Sequence, residues 1–145
     1  MREILFKAKT TKKDNPKHEF NEKWVEGNLI LCRGKAYIHP ISNKIRTTGE
    51  IGRIIVLHEV IPNTLCQYTG LTDKNGKKIW ENDILRRDGY WDMRIEFENG
   101  AFMVRNADKI QYINRVTYTS ISTFDIKEYE VIGNIFDNPE LLEEE

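Results

Sequence analysis

Short alternating runs of apolar and polar residues recur along almost the whole chain, and they predict strands. Ile4-Leu5-Phe6 opens the first, and a polar stretch over 7–23 containing Pro16 follows it. WVEGNLILC (24–32) and KAYIHPI (35–41) flank Arg33-Gly34, which reads as a hairpin turn, with Pro40 closing the second strand or marking an edge. The segment 42–52 is rich in turn residues. RIIVLHEVI (53–61) is the most hydrophobic run and reads as a strand buried on both faces, ended by Pro62. Further strands are expected over Met93–Glu98, Ala101–Arg105 and Tyr129–Phe136, while 107–124 carries no clear period. The end alone looks helical: in DNPELLEEE, Asp137 or Asn138 can cap and Pro139 suits the first helical position.

Two Asn-Gly pairs sharpen this pattern. Taking Asn75-Gly76 as a two-residue type I′ turn sets Lys74 against Lys77, Asp73 against Lys78, Thr72 against Ile79 and Leu71 against Trp80. Taking Asn99-Gly100 the same way sets Phe97 against Phe102 and Ile95 against Val104, with Arg94, Glu96 and Glu98 on the opposite face. The glycines and lysines of QYTGLTDKNGKKIWENDIL (67–85) do not make a phosphate loop. Five residues separate the glycines instead of four, Lys78 stands where a hydroxyl is needed, and no long helix follows. The expected fold is all-β: antiparallel hairpins in a partly closed barrel or two small sheets, with a short C-terminal helix. At 145 residues this is one domain, with two lobes near 1–65 and 66–145 sharing a core.

Composition narrows the class. With 39% apolar and 31% charged residues of mixed sign, the chain is globular and not disordered. The longest apolar run, Ile54 to Leu57, is far too short to span a bilayer, and the lysine-rich start lacks a signal-peptide core. A cytoplasmic location in a bacterial host is the expectation, with Cys32 and Cys66 as reduced thiols. Charge is uneven: residues 1–90 hold 17 Lys/Arg and 11 Asp/Glu (+6), and 91–145 hold 5 and 12 (−7). Such polarity could attract an anionic partner or join copies head to tail, unless the fold interleaves the halves.

QYTGLTDKNGKKIWENDIL and YEVIGNIFDNPELL, with REILFKAK, KWVEGNLI and YIHPISNKI, resemble the YopX family of small phage and prophage proteins over nearly the full length. The polar connection over 10–23 is longer than usual for that family, and Glu81-Asn82-Asp83 stands where it would have Glu-Gly-Asp. Asn82 also tolerates a left-handed backbone. The resemblance implies a β-rich fold and a phage-borne origin. It implies no reaction, cofactor or catalytic residue.

Candidate chemistry is sparse. Cys32, His39, His58 and Cys66 have zinc-ligand chemistry without the close ligand pairs of structural sites, so no metal is expected. His58, Glu59, Asp73, Glu81 and Asp83 could supply an acid and a base if they converged, yet no hydrolase or metalloprotease motif is present. Lysines 7, 9, 12, 13 and 17, then Lys74, Lys77 and Lys78 at the hairpin tip, Arg86 and Arg87, and Tyr90 and Trp91 combine cations with aromatic rings. That mixture suits single-stranded nucleic acid, although the alternative is a solvated hairpin and a core tryptophan, and the pI near 6.3 is low for such a binder. The expected order of functions is a non-catalytic binding or assembly module (self, phage or host protein), then a nucleic-acid binder, then an enzyme.

Overall fold

The computed structural model describes residues 2–11, 23–41, 57–107 and 118–142. The fold is mostly antiparallel β, with short 3-10 turns and no long helix among these residues. The chain divides into two compact units, 1–67 and 68–145.

In the first unit β1 (Phe6–Lys9), β2 (Trp24–Cys32), β3 (Lys35–Pro40) and β4 (His58–Val60) lie in the order β4-β3-β2-β1. The start of β5 (Cys66–Thr72) pairs with β1 through Phe6–Gln67 and Lys7–Cys66. Arg33 and Gly34 adopt φ of 51° and 76°, the two left-handed residues of a type I′ turn, and Cys32 faces Lys35 as expected. Ala8, Ala36, Ile38 and Val60 form the core of this unit, with Phe6, Val25, Leu29 and Leu65 packed on it. A bridge between Thr10 and Val60 ties the end of β1 to β4. At Gly27 the backbone of β3 passes so close that an added Cβ would overlap the carbonyl of His39.

Two expectations for this unit change. The first strand begins at Phe6, not Ile4. The run 53–61 is described only from Leu57, and its strand is not buried on both faces: only Val60 is enclosed, Leu57 is exposed, and Glu59 turns outward to pair with Lys35 at 3.6 Å. At Val60 the strand packs on the core, while Glu59 lies on its open side. The segment 42–52, and Lys12, Lys13 and Lys17, lie outside the described residues.

In the second unit β7 (Asp83–Arg86), β8 (Met93–Glu98), β9 (Ala101–Asn106), β10 (Tyr118–Ser120) and β11 (Glu130–Asn134) form a sheet in the order β10-β9-β8-β7-β11. Its core holds Ile79, Leu85, Met93, Ile95, Val104, Ile126 and Tyr129. Asn99 and Gly100 have φ of 51° and 80°, and the register sets Ile95 against Val104 and Phe97 against Phe102, as expected. The two phenylalanine rings meet edge to face, 5.2 Å between centroids. On the opposite face Arg94, Glu96, Arg105 and Glu98 form a half-buried ladder, with Glu96 bonded at 2.8 Å to Arg94 and 3.3 Å to Arg105.

The first Asn-Gly hairpin is built differently from the expectation. The later part of β5 pairs with β6 (Lys78–Trp80), with Thr72 opposite Lys78 and Tyr68 opposite Trp80. Asn75 keeps a negative φ, and only Gly76 is left-handed, at 80°. Gly76 N–H donates to Asp73 O at 3.0 Å and Asp73 N–H to Lys77 O at 2.8 Å, which closes a three-residue loop: a type I turn followed by a glycine bulge. In this register Leu71 no longer faces Trp80, nor Asp73 Lys78. The Asp73 carboxylate binds backbone instead, and that shifts the register. The expected short C-terminal helix is a single 3-10 turn, Pro139–Leu142. Asn134 bonds back to Phe136 and Asp137, so the chain enters that turn already bent.

An added Cβ at Gly76 would meet nothing within 4 Å, so its constraint is its backbone alone. Gly76→Val should therefore lower the unfolding free energy by about 1–2 kcal/mol, the cost of a left-handed L-residue. Denaturant titration checks this, and a variant as stable as the parent would refute the bulge.

Candidate functional site

Two buried carboxylates shape the second unit. Asp73, 3% exposed, accepts from Asn75 N–H at 2.8 Å and Lys77 N–H at 2.9 Å on Oδ1, and from Val131 N–H at 2.9 Å on Oδ2. Burial pushes its pKa up, but the hydrogen bonds from the Val131, Lys77 and Asn75 amides outweigh that and hold it below the ordinary aspartate value. Asp83, 2% exposed, accepts from Trp80 N–H at 2.8 Å across a turn in which Asn82 takes the left-handed φ of 71°. Both side chains fix backbone, which leaves them poorly placed for proton transfer to a ligand.

The same hairpin tip is attached to the segment before β11. Lys74 N–H donates to Tyr129 O at 3.0 Å, Lys74 Nζ lies 3.6 Å from Glu130, Asn75 Nδ2 donates to Glu130 at 3.3 Å, and Lys127 Nζ donates to Thr72 Oγ1 at 2.8 Å. Beside it runs the loop 87–92 between β7 and β8. Tyr90 N–H donates to Arg87 O at 3.1 Å, with Gly89 at φ 81° in the third position of the turn, as type II geometry requires. Arg86 and Asp92 clamp the loop's neck with a two-pronged pair, Nε–Oδ1 2.9 Å and Nη2–Oδ2 2.7 Å, and Asp92 raises the Arg86 pKa.

This loop lifts Tyr90 and Trp91 outward, 58% and 53% exposed. The Arg87 guanidinium stacks on Tyr90, 4.2 Å from the ring centre, and lies 3.8 Å from Asp125. Tyr90 meets the edge of Tyr129, 6.5 Å away, which packs on Phe124 at 4.9 Å. Tyr129 is buried, and desolvation raises its phenol pKa. The result is an aromatic ledge rooted in the core.

Of the residues singled out from the sequence, Arg86, Arg87 and Trp91 share this loop, and Lys74 joins it through Tyr129 and Glu130. Lys77 is exposed on the hairpin, and Lys78 lies over Tyr68 at 5.5 Å. Trp91 is no core residue. Sequence reasoning missed Phe124 and Asp125, which carry no motif, and read Tyr129 only as the start of a strand. In the first unit Lys7 and Lys9 lie over Trp24, at 4.8 and 5.5 Å. Cys32 is exposed at a hairpin tip beside an apolar hollow of about 320 Å³ lined by Leu31, Ala36, Pro62 and Leu65. Cys66 is buried and its thiol donates to Thr64 O at 3.3 Å. No three His, Cys, Asp or Glu side chains are grouped as metal ligands among the described residues.

The YopX protein family model matches residues 12–143, and the chain belongs to that family. The crystal structure of protein EF1440 from Enterococcus faecalis is similar in fold: TM-score 0.56, 21% identity, covering 98% of this chain and 99% of that one. A stretch of 59 residues is 36% identical to the class 1 fructose-1,6-bisphosphatase of Halorhodospira halophila (strain DSM 244 / SL1), covering 37% of this chain and 18% of that enzyme. The chain thus spans less than a fifth of the length of that relative.

Removing Asp73 tests the carboxylate's role. Asp73→Ala leaves three partly buried amides without their acceptor and should cost roughly 2–3 kcal/mol of stability at neutral pH. Because its native pKa is lowered, this contribution is complete above the unfolded value of about 3.9 and is lost as pH falls through the native one. The gap between parent and Asp73→Asn should therefore narrow below about pH 4 in equilibrium unfolding. A gap that stays constant down to acid pH would contradict it.

Proposed function

We propose that this protein is a non-catalytic binding or assembly module. The observation that carries this reading is the pair Tyr90 and Trp91, both more than half exposed on a loop clamped by Arg86 and Asp92. Tyrosine, tryptophan and arginine dominate binding energy at protein interfaces, where a rigid ring loses little entropy on contact. Asp73 and Asp83, the buried carboxylates, already serve backbone amides, which weighs against acid–base chemistry.

The family's phage and prophage setting supports a module that acts in the bacterial cytoplasm on its own copies, a phage protein or a host protein. No helix among the described residues is long and apolar enough to cross a membrane. The nucleic-acid alternative draws on exposed Lys77 and on the attachment of the hairpin tip to Tyr129. The pairing of Lys74, Arg86 and Arg87 with Glu130, Asp92 and Asp125 weighs against it, because phosphate binding draws on cations that are not already neutralised.

Light scattering of the protein purified from phage-bearing cells should show a multimer or a co-purifying partner. A variant carrying both Tyr90→Ala and Trp91→Ala should lose that added mass while staying folded, its thermal midpoint lowered only by the loss of the Tyr90–Tyr129 and Arg87–Tyr90 contacts. A parent protein that is monomeric and retains nothing would count against the module.

A further inference from the structure

We infer that the ledge receives a basic protein segment, so that lysine or arginine side chains of the partner lie on the Tyr90 and Trp91 rings among the surrounding carboxylates. This deepens the binding-module reading and rests on it. Three observations point to the sign of the partner's charge. The ledge already holds one cation in this manner, since Arg87 stacks on Tyr90 at 4.2 Å while reaching Asp125 at 3.8 Å. Asp125 is 72% exposed, so its carboxylate still faces solvent and can take a second cation. Asp88, one residue before Gly89, and Glu128, one before Tyr129, are exposed as well.

Exposed rings bordered by carboxylates suit a cation for two reasons that act together. The π face attracts positive charge, and neighbouring carboxylates complete the pairing that the partner loses with water. A phosphate chain would meet the opposite situation. Arg86 is held by Asp92 in a two-pronged pair, Lys74 lies beside Glu130, and the exposed Asp88, Asp125 and Glu128 outnumber the exposed Lys127, whose Nζ donates to Thr72 Oγ1, so the balance repels an anion. The whole stretch 91–145 carries a balance of −7, which adds longer-range attraction for a basic partner.

The test titrates the full-length protein with a decapeptide of alternating arginine and glycine, following binding by calorimetry and tryptophan emission. A glutamate–glycine decapeptide and a single-stranded DNA 15-mer serve as the comparison ligands. The basic peptide should bind, and added salt should weaken it. Tyr90→Ala or Trp91→Ala should lower its affinity roughly two- to fivefold each, and both together about tenfold, whereas Trp91→Phe should retain most of it. Asp88→Asn with Asp125→Asn should weaken binding further without moving the thermal midpoint. The ring variants keep the net charge, so peptide affinity that is unchanged in them overturns the inference as mere attraction to an acidic protein. Absence of peptide binding, or preference for the acidic peptide or the DNA, overturns it too. If the peptide fails while the double variant still loses its co-purifying mass, the binding module stands and only the basic partner falls.

Discussion

A single carboxylate holds the second unit in its register. Asp73 terminates β5, caps its own turn through two amides and reaches a third at the start of β11. Without it, three partly buried N–H groups would lose their acceptor, and leaving such a group unpaired costs more than an ordinary hydrogen bond contributes. Its choice of amides over Lys78 explains why the hairpin closes with three residues instead of two. An aspartate in a turn can satisfy nearby N–H groups at short range, while an exposed lysine offers only a screened attraction.

The candidate site depends on that same attachment. Because the hairpin tip is bonded to residues 127–130, Tyr129 is fixed, and Tyr129 supports Tyr90 from beneath. The Arg86–Asp92 clamp then sets the width of the loop, and Gly89 supplies the one backbone conformation that other residues resist. Two large rings are therefore displayed on a rigid base. Displayed rings of this kind lose little freedom on binding, which is why a ledge can serve where a deep pocket is lacking.

The ion pairs change the meaning of the composition. Read along the chain, Arg86, Arg87 and Lys74 belong to a basic cluster near aromatic residues. In three dimensions each finds a carboxylate brought from elsewhere: Asp92, Asp125 and Glu130. Their charge is largely answered locally, and around the rings the exposed Asp88, Asp125 and Glu128 outnumber the exposed Lys127. Linear clustering of one sign is weak evidence for a polyanion partner when a β-fold sets distant strands side by side.

Much of the architecture was legible because it rests on local rules. Asn99-Gly100 is a type I′ turn by its own backbone preferences, and counting out from it sets Ile95 against Val104 and Phe97 against Phe102, while Arg33-Gly34 is marked as a turn by its glycine between two strands. Asn82 could likewise be read as left-handed from its chemistry. What the chain could not reveal were the partners chosen at a distance: Asp73 with Val131, Lys74 with Tyr129, Arg87 with Asp125. Fifty or more residues lie within the first two of those pairs, and nearly forty within the third, and nothing in either member marks the other. Short-range geometry is written residue by residue, so sequence determined the places of the turns, the alternating faces and the β class. Which charges cancel, which rings emerge and where a ligand could rest depend on strands meeting in space, and only the tertiary structure decided them.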